Sequence, residues 1–230
     1  MLLIDSVVPL TLALIISMVE FISRKLNFKY KLHYRKIVSF AAGISITYIL
    51  LELLPFFAEN ALEINKFLFL ALLIGFVIHH IIEKEIYQHN SRHELVKKLT
   101  LEEHTFHFIY HIILGIVFIK IIQANKTEGL FFFISILAYT IASNLPTRQH
   151  RSNKVMALLA SSTFIGALIA VFFLSKLQLW LEFSLVGFVT GVLLFTVTRH
   201  HIHHGKIGSV SYFTLGSIIY TFFILSKWLI

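Results

Sequence analysis

Three histidines, His104, His107 and His111, recur at i, i+3 and i+7 in the stretch "EEHTFHFIYHIILG". That spacing lines three imidazoles along one stripe of a helix. A neutral imidazole offers one donor and one acceptor nitrogen. Such a stripe can ligate a transition metal, relay protons, or hydrogen-bond to a neighbouring helix. The chain has no cysteine, which excludes a disulfide framework and a thiolate metal site. Any metal must therefore be held by imidazole, carboxylate or amide groups.

Further candidates are scattered along the chain. Glu52, in "LLELLP", lies in an apolar run where a carboxylate needs a partner or a watery opening, so it reads as an entrance ligand or proton carrier. Glu20 has Arg24 at i+4 and reads as half of a structural ion pair; Glu182 reads as solvated. "ASNLPT" joins Asn144 to Pro146, whose missing N–H frees a carbonyl one turn earlier, unless it is an ordinary helix end. "RHHIHHG" (His200, His201, His203 and His204) is either a site or a solvated basic turn. His79 and His80, being adjacent, cannot both face one site. His33, His89, His93 and His150 fall in polar breaks.

The elements that must position these groups are membrane helices. Of 230 residues, 57% are hydrophobic, 23 are Phe and only 14% are charged, and the mean hydropathy is +0.81. These values place the chain in the membrane class. A hydrocarbon core of about 30 Å needs about 20 apolar residues per helix. Eight stretches qualify: Ser6 to Ile22, Ile37 to Phe57, Lys66 to Ile82, His104 to Ile122, Leu130 to Pro146, Val155 to Leu174, Leu179 to Val197 and Ser209 to Trp228. The break "SKLQ" is the weakest, and its loss would leave seven. The long break Glu83 to Glu103 reads as helical extensions of its neighbours, with Glu94 and Lys98 at i, i+4.

Leu2 to Ile22 lacks a preceding basic region and a cleavage site, so it reads as the first span rather than a signal peptide. The alternate breaks one, three, five and seven hold most of the 20 Lys and Arg. That bias predicts those breaks in the cytoplasm and both termini outside, which puts the histidine clusters in the inner half. The expectation is therefore an all-α, polytopic bundle of eight transmembrane helices, residues 1–230 forming a single transmembrane domain with no residues left for a soluble one. Gly43, Gly75, Gly115, Gly187 and Gly191 are expected to let helices approach closely.

The order of these features resembles the ZIP family of metal transporters. "FAAGISITYILLELLP" looks like the family's second helix, with Glu52 where many members have His, and "GFVIHHIIEKEIYQH" is similar to its third. In the fourth, "HFIYHIILG" keeps the first His as His107 and sets His111 at the carboxylate position. In the fifth, "SNLPT" keeps Asn144 and Pro146, while Ser143 and Thr147 replace two ligands. The resemblance implies a metal site of His107 and Asn144, with His111 as a substituted ligand and Glu52 near the outer entrance; His104 joins the candidate ligands through its place on the same helical stripe.

The implied function is passage of a zinc-like divalent transition metal, with no obligatory cofactor and no enzymatic activity. The expected partners are the lipid bilayer of the plasma or inner membrane and the metal ion, and a homodimer is compatible. Two alternatives stay open: a non-transporting ZIP-like protein that senses metal or binds a partner, and a histidine-box di-iron desaturase or hydroxylase. No phosphate-binding loop, nucleophile triad or nucleic-acid motif is present.

Overall fold

Backbone groups inside lipid find no water, so each apolar stretch must satisfy its own N–H and C=O groups by coiling. A computed structural model describes residues 2–25, 31–89, 92–144, 152–201 and 208–229, and every element among them is helical. Helix α1 spans Leu2–Lys25. Helix α2, Lys31–Tyr48, continues through a π segment, Ile49–Leu53, into α3, Leu54–Ile64. Then follow α4 (Phe69–His89), α5 (Arg92–Ala124), α6 (Lys126–Asn144), α7 (Asn153–Phe172), α8 (Leu179–Thr196) and α9 (Val210–Trp228). Among the described residues, seven helices are long and apolar enough to cross a membrane, with α2 and α3 counting as one. Helix α6, whose 19 residues include Lys126 and Glu128, stands outside that set and packs against α1, α2 and α5.

The long break expected between the third and fourth spans is helical: α4 runs on to His89, and α5 begins at Arg92. The side chains of His89, His93, Glu94 and Lys98 lie outside the described residues, as do those of His33, His200 and His201 and the whole of Pro146, Thr147, His150, His203 and His204. "SKLQ" is a true break, since α7 ends at Phe172 and Gln178 is extended before α8. Helix α6 starts at Lys126 rather than Leu130. Asn125 makes that possible, because its side-chain oxygen accepts from the Thr127 and Glu128 N–H groups at 2.9 and 3.3 Å, capping the new helix after a single residue.

The π segment has a local cause. Pro55 has no N–H to offer the Leu51 carbonyl and its ring crowds that carbonyl; the chain widens, and the Leu54 N–H bonds back to the Ile49 oxygen. The wide turn carries Glu52, which is buried.

Large apolar side chains such as Phe67, Phe222 and Phe173 face outward, as lipid contact allows. Since lipid is as apolar as leucine, helix pairing in it depends on close packing rather than on hydrophobic burial. Three reciprocal glycine contacts supply that. A Cβ on Gly115 of α5 would overlap the Thr163 carbonyl oxygen of α7, and one on Gly166 of α7 would overlap the Ile112 carbonyl oxygen of α5. Gly75 and Gly191 do the same for α4 and α8, and Gly43 and Gly216 for α2 and α9. Gly187 instead meets the Phe57 ring.

Candidate metal centre

Helix α5 is locked to α7 by its glycine pair, and α1 packs against both. This meeting of three helices brings together side chains far apart in sequence. Glu20 and Arg24 stand one turn apart on α1; His107 and His111 stand one turn apart on α5. The two imidazoles stack with centroids 3.7 Å apart, so one turn of helix delivers two ligand-capable nitrogens to one place.

The carboxylate of Glu20 lies between them and is fully buried. Its Oε1 is 2.6 Å from His107 Nε2, and its Oε2 is 3.3 Å from His111 Nδ1. Arg24 donates to the same Oε1 through Nε at 3.1 Å and Nη2 at 2.7 Å. Arg24 Nη2 also lies 2.7 Å from His107 Nε2. Thr163 of α7 meets His111 Nδ1 at 3.0 Å. Glu20 Oε2, His111 Nε2 and the Ser17 hydroxyl one turn before Glu20 are buried polar atoms with no hydrogen-bond partner among the described residues. Unpaired polar atoms are costly in a lipid-enclosed core, so this corner is not merely packed.

Ligand-capable atoms of Glu20, His107 and His111 all lie within 4.8 Å of one another. A zinc-like ion held at about 2.0–2.2 Å from each donor spaces donors by roughly 3–3.6 Å. Closing two imidazoles and a carboxylate around one ion would therefore take rotation of these side chains, and such a donor set suits zinc and divalent iron.

The histidines singled out by spacing thus turn inward, but the partner they meet is α1. His104, one turn nearer the N-terminal end of α5, is half-buried and lies outside this group. The side chain of Asn144 lies outside the described residues. His79 packs edge-on to Phe106 with centroids 4.6 Å apart. Glu20 was read as an ion-pair partner of Arg24, and that pair is present at 2.7 Å. Its place beside the histidines had a signal: Glu20 near the end of the first expected span and His107 near the start of the fourth were both expected close to the same membrane surface.

Glu52 belongs to a different cluster. It accepts from Lys227 at 2.5 Å and from the Trp228 indole at 2.8 Å, and Lys227 also pairs with Glu128. Helix α5 runs 13 residues from His111 to Ala124, just before Glu128, so the two clusters are separated by about 20 Å of helix rise. The Glu52 group ties the end of α9 to the π segment and the start of α6. Lys227→Met leaves two neighbouring carboxylates without their shared cation, and we expect it to destabilise the protein by about 2 kcal/mol. Thermal unfolding in detergent checks this, and an unchanged midpoint contradicts it. Comparison of the chain with family models, curated proteins and solved structures gives no match.

Proposed function

We propose that this chain is a membrane carrier of a divalent transition metal, with Glu20, His107 and His111 as its ligands in the inner half of the bundle. In this reading α6 completes eight spans, both termini face outward, and the protein sits in a plasma or inner membrane. The single observation that carries the reading is the convergence, inside a lipid-spanning bundle, of two imidazoles and a carboxylate from two helices. The ZIP resemblance supports it through His107 and His111, while Glu20 is a ligand that the resemblance does not mark. Intramembrane ionisable groups usually define a pathway, and three ligands without a full tetrahedral set suit an ion that must leave again.

Uptake of zinc, manganese or iron into proteoliposomes tests this directly. Wild-type protein is expected to give metal-dependent uptake, and His107→Ala combined with His111→Ala is expected to reduce it to the level of empty vesicles. Uptake that survives the double substitution removes these residues from the route. Binding without uptake at any metal favours the non-transporting reading, to which one observation already points: a guanidinium lies among the ligands.

A further inference from the structure

Arg24 places a permanent cation against the atoms that would hold a metal. Its Nη2 is 2.7 Å from Glu20 Oε1 and 2.7 Å from His107 Nε2, and its side chain is only 3% exposed. No imidazole nitrogen can donate to a carboxylate and accept from a guanidinium with one proton position. The His107 nitrogen is thus contested by two partners, and the Glu20 oxygen is already engaged by two N–H groups. A divalent ion bound to those same two atoms would meet like charge at contact distance, in a region that screens poorly. Metal and guanidinium therefore exclude one another.

We infer that metal binding here is a cation exchange, in which the ion displaces the Arg24 guanidinium from Glu20 and His107. This rests on the proposed metal site and adds its regulation. The geometry provides a place for the displaced group. Arg24 is the residue before Lys25, the last residue of α1. A long arginine stem can carry its head to the membrane surface, where the carbonyl end of the helix favours a cation. The exchange has two consequences. Without metal, Glu20 keeps a partner, so the bundle never holds an isolated buried carboxylate, which would be strongly unfavourable. With metal, affinity is reduced by whatever the guanidinium contacts contribute, which sets a threshold concentration and eases release.

Cobalt(II) titration of the purified full chain in detergent, followed by ligand-field absorption, tests this. Charge-assisted hydrogen bonds of the Arg24 kind are strong enough that Arg24→Gln is expected to bind cobalt about ten- to a hundredfold more tightly than wild type. Arg24→Lys keeps the charge but loses the two-nitrogen contact, so an intermediate gain of about threefold is expected. Should Arg24→Gln not purify folded, the lysine variant decides. Equal or weaker cobalt binding in a folded variant overturns the exchange while leaving the metal site intact. No ligand-field band in wild type or either variant overturns both.

Discussion

Glu20→Gln is expected to weaken cobalt or zinc binding by at least about a hundredfold, since removing even an outer-shell partner of a metal ligand commonly costs ten- to a hundredfold. Glutamine keeps the shape of the side chain but removes the negative charge and one strong lone-pair donor, leaving two imidazoles to hold a dication. The substitution also strands Arg24, whose side chain is buried. Breaking a buried pair from one side costs about 3–5 kcal/mol when the remaining charge cannot reach water. Here it can, because Arg24 sits at the end of α1, so the stability loss is expected to be smaller than that. The double substitution Glu20→Gln, Arg24→Gln separates the two effects. It removes both charges and is expected to recover stability without recovering metal binding. His104→Ala provides the opposite control: it lies on the same helix but outside the group, and its affinity is expected within about twofold of wild type, well under 1 kcal/mol. Calorimetric titration of the four proteins checks the affinities, and their unfolding midpoints in detergent check the stabilities. Wild-type affinity in Glu20→Gln would falsify the assignment of this carboxylate.

Gly166→Leu is expected to be the most disruptive single change in the fold, lowering stability by about 3 kcal/mol or more, at the upper end of overpacking penalties. Even a Cβ at this position overlaps the Ile112 carbonyl oxygen of α5, and the reciprocal position, Gly115, faces the Thr163 carbonyl oxygen of α7. Backbone atoms cannot swing aside as a side chain can, so the helices must separate. Separation acts on the site as well as on the fold. Thr163 meets His111 at 3.0 Å, and moving α7 away removes the contact that orients that imidazole. Metal affinity is therefore expected to fall together with thermal stability. Gly187→Ala serves as the comparison, because its Cβ would meet the Phe57 ring rather than a backbone atom, and its cost is expected to be lower. Unfolding midpoints in detergent rank the two, and a Gly187→Ala loss equal to that of Gly166→Leu contradicts the backbone argument.

The helices themselves were legible as apolar runs, with ends that shifted by several residues where polar breaks also coiled. Long apolar runs have one way to satisfy their backbones in lipid, which is why expected spans such as Leu179 to Val197 coincide closely with α8. The Glu20 and Arg24 pair was legible for the same kind of reason, since both partners lie on one helix at a fixed spacing. The inward turn of His107 and His111 followed from the expense of exposing imidazoles to acyl chains.

What the sequence by itself determined, then, is what is set within a single helix: that each apolar run coils, roughly where it lies along the chain, and which of its groups lipid contact disfavours. Which helix those groups would meet was decided only by the tertiary structure. Spans that are apolar on every face carry no periodic signal naming a neighbour, and in lipid there is no hydrophobic gain to bias the choice. Glycine contacts between backbones made it instead, seating α5 against α7 with α1 alongside. That is why Glu20 became the third member of the histidine cluster, and why Glu52, about 20 Å away by helix rise, did not.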